Sequence, residues 1–212
     1  MDYKLRRGIF ITFEGPEGAG KSTHSRALSR WIKKKRFPVL LTREPGGTVL
    51  GQRLRTILLD HRSKIDSLTE LFLYEAARAA LVSHVIRPAL DSGRVVLVDR
   101  FQDSTWVYQS WAGGLPVRLV EQAGRAATGG LMPDLTILLD LPAERGLARV
   151  KRPNRMEGKN ISFHRKVRQG YLVLARRNPG RFRVVRADQP VVKSQLQIRE
   201  IVTHVLEKYR RA

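Results

Sequence analysis

The sequence predicts an α/β fold in which a parallel sheet lies between layers of helices, and three observations carry that reading. Strand-like and helix-like segments alternate along the chain. A glycine-rich turn, FEGPEGAGKST at residues 13–23, separates the first strand from the first helix. The 212 residues, 42% of them hydrophobic, suffice for one core of this kind. No internal repeat, low-complexity tract or linker divides residues 1–212, so a single domain is expected.

Ile9-Phe10-Ile11-Thr12-Phe13 is aromatic and β-branched, the composition of a buried strand. Gly15, four residues, Gly20, Lys21 and Ser22 then fit G-x-x-x-x-G-K-[ST], a phosphate-binding loop. Glycines let successive N–H groups turn inward around phosphate oxygens. Lys21 reaches the outer phosphates and the Ser22 hydroxyl suits Mg²⁺. The helix predicted over 21–35 has Leu28, Trp31 and Ile32 on one face and offers its N-terminus to an anion. A flexible glycine turn would not account for Lys21-Ser22. The second strand, 38–42, runs into Thr42-Arg43-Glu44-Pro45-Gly46-Gly47-Thr48, where Pro-Gly-Gly forces a turn and Thr48 caps a helix over 48–59. Arg43 faces the ligand crevice or is a plain surface arginine of that turn.

A long helix is expected over 67–91, with Leu71, Tyr74 and Arg78 at helical spacing. Tyr74 alone reads as core; with Arg78 one turn away it reads as a ring that stacks on a base. The third strand, 94–98, ends in Asp99-Arg100. An acid there belongs near Mg²⁺ or its waters, and Arg100 is placed to grip a second phosphate in bidentate fashion. The alternative is an Asp99–Arg100 pair that only caps the strand. Helices follow over 103–111 and 116–127, a strand over 134–140 and a helix over 142–151. The polar, basic stretch 151–160, KRPNRMEGKN, reads as a mobile lid. A helix over 160–177, a strand over 181–186 and a helix over 190–210 complete the chain. Ligands bind at the carboxyl ends of such strands, so the loops after strands one, two and three carry the chemistry.

There is no cysteine, which excludes disulfides and thiolate catalysis and fits a reducing cytoplasm. No apolar run approaches the roughly 20 residues of a membrane helix. MDYKLRRGIFITFEG does not read as a leader, because Glu14 breaks its apolar run. Lys+Arg of 40 against Asp+Glu of 19 gives +21. The cations are spread from Arg6 to Arg211 without a basic–aromatic stripe, so a solvated surface that attracts anionic nucleotides is expected rather than a nucleic-acid interface.

Together, FEGPEGAGKST, TREPGGT with Leu54-Arg55, Tyr74-x-Ala76-x-Arg78, DRFQDSTWVYQ, PDLTILLDL and FHRKVRQGYLVLA occur in one order over residues 8–206. In this the chain resembles the bacterial thymidylate kinase (dTMP kinase) family. The resemblance implies a three-layer fold with a five-stranded parallel sheet, a short lid, homodimers, and the reaction ATP + dTMP → ADP + dTDP with Mg²⁺. It implies that Gly15, Pro16, Glu17, Gly18, Ala19, Gly20, Lys21, Ser22 and Thr23 hold the ATP phosphates, with Ser22 and Glu17 near the metal. Arg149 and the Asp188-Gln189 loop would flank adenine. Glu17, Arg43, Arg55, Tyr74, Arg78, Arg100, Ser104, Thr105, Tyr108 and Gln109 would form the dTMP site. Lys21, Asp99, Arg100, Arg149 and Arg155 would be the catalytic set. Three departures stand out: Asn154 replaces the first acid of the lid's Asp-Arg-x-Glu, the lid is a few residues short, and Phe101 stands where Tyr is usual. Gly18 leaves the phosphate loop without an arginine, so the lid is expected to supply a cation from Arg149, Lys151, Arg152 or Arg155. The rival readings are a kinase for another nucleoside monophosphate, or a phosphate-loop ATPase that binds nucleic acid.

Overall fold

The computed structural model describes residues 5–210; the start of the rejected leader and Arg211 lie outside the described residues. The strands β1 (Ile9–Glu14), β2 (Val39–Arg43), β3 (Val95–Asp99), β4 (Leu135–Asp140) and β5 (Phe182–Arg186) form one parallel sheet in the order β2-β3-β1-β4-β5. Each lies within a residue of its predicted bounds at either end. Helices α1 (Lys21–Lys34), α2 (Val49–Leu59), α3 (Ser67–Leu81), α4 (Arg87–Asp91), α5 (Gln102–Thr105), α6 (Val117–Thr128), α7 (Ala143–Leu147), α8 (Ile161–Arg177) and α9 (Val191–Tyr209) connect and cover them.

Every β1 residue is buried because both sheet faces are covered. Ile9, Ile11 and Phe13 join Leu28 and Ile32 of α1 and Ile198 and Val202 of α9 on one side. Phe10 points the other way, with Val96 and Val98, toward Leu81, Ile86 and Phe101. A third cluster holds Trp106, Val107, Tyr108, Leu138, Tyr171 and Leu174 beside the carboxyl ends of the strands.

Three predicted helices differ in detail. The helix expected over 67–91 contains a π-helical turn, Val82–Ile86. Pro88 lacks an N–H and its ring would crowd the His84 carbonyl, and widening the preceding turn relieves this; the Arg87 N–H then bonds to Val82 O, five residues back. The helix expected over 103–111 is α5 followed by a π-helical turn, Trp106–Trp111. The helix expected over 142–151 ends at Leu147, where Arg149 and Val150 bond back only three residues and tighten the last turn.

Parallel register then brings the informative loops together. Phe13 and Arg43 are both paired with Asp99 across neighbouring strands. The Arg100 N–H bonds to Phe13 O at 3.0 Å and the Glu44 N–H to Asp99 O at 2.9 Å, so the three strand ends leave the sheet side by side.

Candidate active site

The phosphate loop is held tightly from below. Gly15 (φ +139°) lies so close to β4 that a Cβ would stand 2.4 Å from Leu139 O, and at Gly18 (φ +68°) a Cβ would stand 2.1 Å from Gly146 O. Any side chain at position 18 therefore meets backbone, which is a physical reason for a loop without arginine. Lys21 folds over the loop, donating from Nζ to Gly15 O at 2.9 Å and Pro16 O at 2.8 Å. Burial, with the Arg100 cation nearby, pulls its pKa down to about 8. Ser22 Oγ donates to Asp99 Oδ2 at 2.5 Å, so the hydroxyl of the loop and the acid of β3 are in direct contact.

Arg100 crosses from β3 to this loop. Its φ is +70°, a left-handed conformation that costs a non-glycine residue about 1–3 kcal/mol. That turn directs the side chain back over the sheet. Nη1 donates to Gly15 O at 3.3 Å, Ser104 Oγ at 3.2 Å and Tyr171 OH at 3.1 Å; Nη2 donates to Glu17 Oε2 at 2.9 Å and Tyr108 OH at 3.2 Å. Tyr108 OH in turn donates to Glu17 Oε1 at 2.8 Å. Burial alone would raise the Glu17 pKa, but Arg100 and Lys21 outweigh it and hold the carboxylate down at about 2. Glu17 is thus an ionised bridge between Arg100 and Tyr108.

A cleft of about 400 Å³ opens above these groups. Arg43, Arg55, Tyr74, Arg78, Arg100, Ser104, Thr105, Tyr108 and Gln109 all line it, together with Lys21 and Ser22. The residues expected to hold an acceptor nucleotide are therefore brought to one cleft. Arg78 departs from the simple expectation of a donor facing a base. It is 1% exposed and serves as a core ion. Nε donates to Glu44 at 2.7 Å, Nη1 to Glu75 at 2.7 Å and Gln102 at 2.6 Å, and Nη2 to Thr105 at 2.9 Å. Four of five N–H groups are thus committed, and one on Nη2 remains for a ligand. Two carboxylates share this one cation. Burial pushes the Glu44 pKa up to about 7 against the pull of Arg78, and Glu44 Oε1 has no hydrogen-bond partner. Phe101, the residue in place of the usual Tyr, is fully buried edge-on to Phe10 with the Arg78 guanidinium 5.4 Å above its ring.

A sequence model of the family described as thymidylate kinase matches residues 13–198. The chain belongs to the thymidylate kinase family. It is similar to the thymidylate kinase of Desulfovibrio desulfuricans, 46% identical over 94% of this chain and 97% of the relative. It is 47% identical to that of Gloeobacter violaceus over 92% of this chain and 94% of the relative. Among solved structures, the thymidylate kinase of Ehrlichia chaffeensis matches with a TM-score of 0.76 and 30% identity, covering 92% of this chain and 98% of that one.

Some expected site residues do not line this cleft. Gly15, Pro16 and Ala19 shape the loop without lining the cleft, and neither Asp188 nor Gln189 lines it. Asp188 pairs with Arg186 and Arg145, and Gln189 bonds to Ser194. Arg149 does line the cleft, donating to Gly18 O at 3.1 Å and Ala187 O at 3.3 Å. Arg155 does not line it; its guanidinium turns away to Glu70 and Leu58 O. The 151–160 stretch is docked through this arginine. Asn154 Oδ1 accepts the N–H groups of Met156 and Glu157, so the amide still closes the turn where the family pattern has an acid.

Sequence reasoning missed the groups beneath the cleft. Glu14 is fully buried and accepts from Phe101 N, Ser104 Oγ and Tyr171 OH at 2.7, 2.6 and 2.9 Å. Burial and nearby Asp103 push its pKa up to about 7 despite Arg100. An acid at the end of an otherwise apolar buried strand was the available signal. Glu75 stands three residues before Arg78 on α3, a spacing the sequence shows. Glu44 and Tyr171 gave no signal, because their partners are far away in sequence.

Proposed function

We propose that this protein transfers the γ-phosphoryl group of ATP to the 5′-phosphate of dTMP, giving ADP and dTDP. The observation that carries the reading is the carbonyl of Gly15. It accepts at once from Lys21, on the donor side, and from Arg100, on the acceptor side. Two cations suited to two phosphate groups therefore converge on one atom of the loop.

In this reading the loop N–H groups and α1 hold the ATP phosphates, and Lys21 leaves its two carbonyls for the outer phosphates. Arg100 presents its fork to the phosphate of dTMP. An oxygen of that phosphate attacks the γ-phosphorus as the bond to the β–γ bridging oxygen breaks, and ADP departs. The acceptor is already anionic, so no strong base is required, and the work is positioning and charge stabilisation. Ser22 and Asp99, hydroxyl and carboxylate in contact, fit Mg²⁺, which prefers oxygen ligands and keeps waters and phosphates in its shell. Bound with ATP, the ion would neutralise phosphate charge. Glu17 and Tyr108 would face the acceptor sugar, with the Tyr108 ring crowding a 2′-hydroxyl. Tyr74 would stack on the base. We further read the chain as cytoplasmic and as a homodimer; the exposed apolar side chains Val49, Leu50, Leu68 and Phe72 on α2 and α3 support a second copy covering that face.

ADP release with ATP, Mg²⁺ and each of dTMP, dUMP, dCMP and dGMP tests the reaction. Turnover should depend on the acceptor and be greatest with dTMP. Equal use of dGMP would favour another monophosphate, and stimulation by DNA or RNA instead of dTMP would overturn the kinase reading.

A further inference from the structure

The 151–160 stretch is fastened to the acceptor wall through a single buried carboxylate. Glu70, on α3, is 3% exposed. Its Oε2 accepts from Arg155 Nη2, and its Oε1 accepts from Gln109 Nε2 at 2.6 Å. Arg155 is held further at the end of α2, donating from Nε to Leu58 O at 2.8 Å and from its backbone N–H to Leu59 O at 3.2 Å. Those are terminal helix carbonyls, where the macrodipole favours a cation. On either side of Arg155, Asn154 and Met156 line the cleft, and Met156 is buried in the cluster that contains Tyr108. Gln109 lines the cleft as well. A continuous path of contacts therefore runs from the cleft, through Gln109 and Glu70, to the 151–160 stretch, which also lines the cleft.

We propose that Glu70 is a positioning residue that couples occupation of the acceptor pocket to the seating of residues 151–160. The proposal rests on the dTMP kinase reading. The side chains of Glu70 and Arg155 are 4% and 12% exposed, so the pair is largely shielded from water, and its strength depends on how each carboxylate oxygen is held. An acceptor that orders Gln109 fixes Glu70 Oε1, and with it the oxygen that holds Arg155. Release of the acceptor loosens both. Arg155 then works as an anchor of the lid, and the cation that faces the transferring phosphoryl has to come from Arg149, Lys151 or Arg152.

Hydrogen exchange over residues 151–160, with and without dTMP, and kcat and KM for dTMP test the coupling in wild type, Glu70→Gln, Arg155→Gln and the double variant. In wild type, dTMP should slow exchange of the 151–160 amides. In Glu70→Gln, dTMP should still protect residues 100–105 but no longer protect 151–160, and kcat/KM should fall about 10-fold, within the usual range of a coupling between sites. The double variant should fall no further than either single one, because both remove the same link. Arg155→Gln reaches the pair from the lid should Glu70→Gln not fold. Equal protection of 151–160 by dTMP in wild type and variants, or losses that multiply in the double variant, would overturn the latch alone. A wild type that neither binds nor phosphorylates dTMP would overturn the kinase reading, and the latch with it.

Discussion

The two sides that we assign to donor and acceptor are linked beneath the cleft, where Gly15 O accepts from Lys21 and Arg100, but they are made differently. The side we assign to the donor is one contiguous stretch, residues 13–23, a loop shaped by glycines with positive φ. The acceptor side is assembled from side chains of β2, α2, α3, the β3–α5 turn and the π-helical turn after α5. It stands on buried charge: Arg78 between Glu44 and Glu75, Arg100 against Glu17, and Glu70 against Arg155. A backbone site tolerates changes of neighbouring side chains and fails when its one cation is removed. A side-chain site spreads its function over many residues and makes each of them part of the stability of the fold.

The largest effect should come from the lid. Arg149 lines the cleft, whereas Lys151 and Arg152 are exposed beside it. Neutralising each singly should give at least one variant whose kcat falls about 10³-fold, or about 4 kcal/mol. Uniformly mild losses would mean that the donor side supplies the charge unaided. Lys21→Ala should follow, with turnover reduced about 10²–10³-fold and the thermal midpoint little changed. Retention of more than about a tenth of wild-type turnover would break the phosphate-loop assignment.

The acceptor side should declare itself in stability. Glu44 has a folded pKa of about 7 against an ordinary 4.5. The folded state therefore holds the proton more tightly than the unfolded chain does. Stability from this group is greatest below 4.5, falls as pH rises toward 7 and is flat above. The total is about 3 kcal/mol. Glu14 acts in the same direction. Glu17, held at about 2, acts oppositely and only below the ordinary 4.5. Burial lowers the pKa of His24 and His164, which act the other way over the same range in wild type and variant alike. The test is therefore the difference: in urea denaturation at pH 5, 6 and 7.5, the stability of wild type relative to Glu44→Gln, which keeps an acceptor for Arg78 Nε, should fall as pH rises. An identical slope in the variant would count against a proton held by Glu44 in this range.

The smallest effect concerns the base. One N–H of Arg78 is uncommitted, and it suits the O4 acceptor of thymine or uracil but not the N4 amino group of cytosine. A mismatch there leaves polar groups unpaired at about 1–3 kcal/mol. In kcat/KM, dCMP should trail dTMP and dUMP accordingly, and a 5-methyl contact should add only about 1 kcal/mol in favour of dTMP over dUMP. If dCMP is used as well as dTMP, Arg78 is a structural ion alone.

Much of this was legible in one dimension. The five strands, the phosphate loop and the Asp99-Arg100 pair follow from apolar runs, glycine spacing and strand ends, all of them local properties of the chain. The π-helical turns were not legible, because hydrogen-bond register within a helix answers to packing and to Pro88 rather than to apolar periodicity. Nor was the direction of Arg155. A basic lid reads as a source of catalytic cations, but the nearest buried carboxylate is Glu70, 85 residues earlier in the chain. The sequence by itself determined the elements and the donor loop, since a backbone phosphate cradle needs only its own residues in order. Tertiary structure decided the sheet order β2-β3-β1-β4-β5 and the pairing of Arg78, Arg100 and Arg155 with their carboxylates. Burial makes an unpaired charge too costly to keep, and which carboxylate answers each arginine depends on which strands and helices the fold sets side by side.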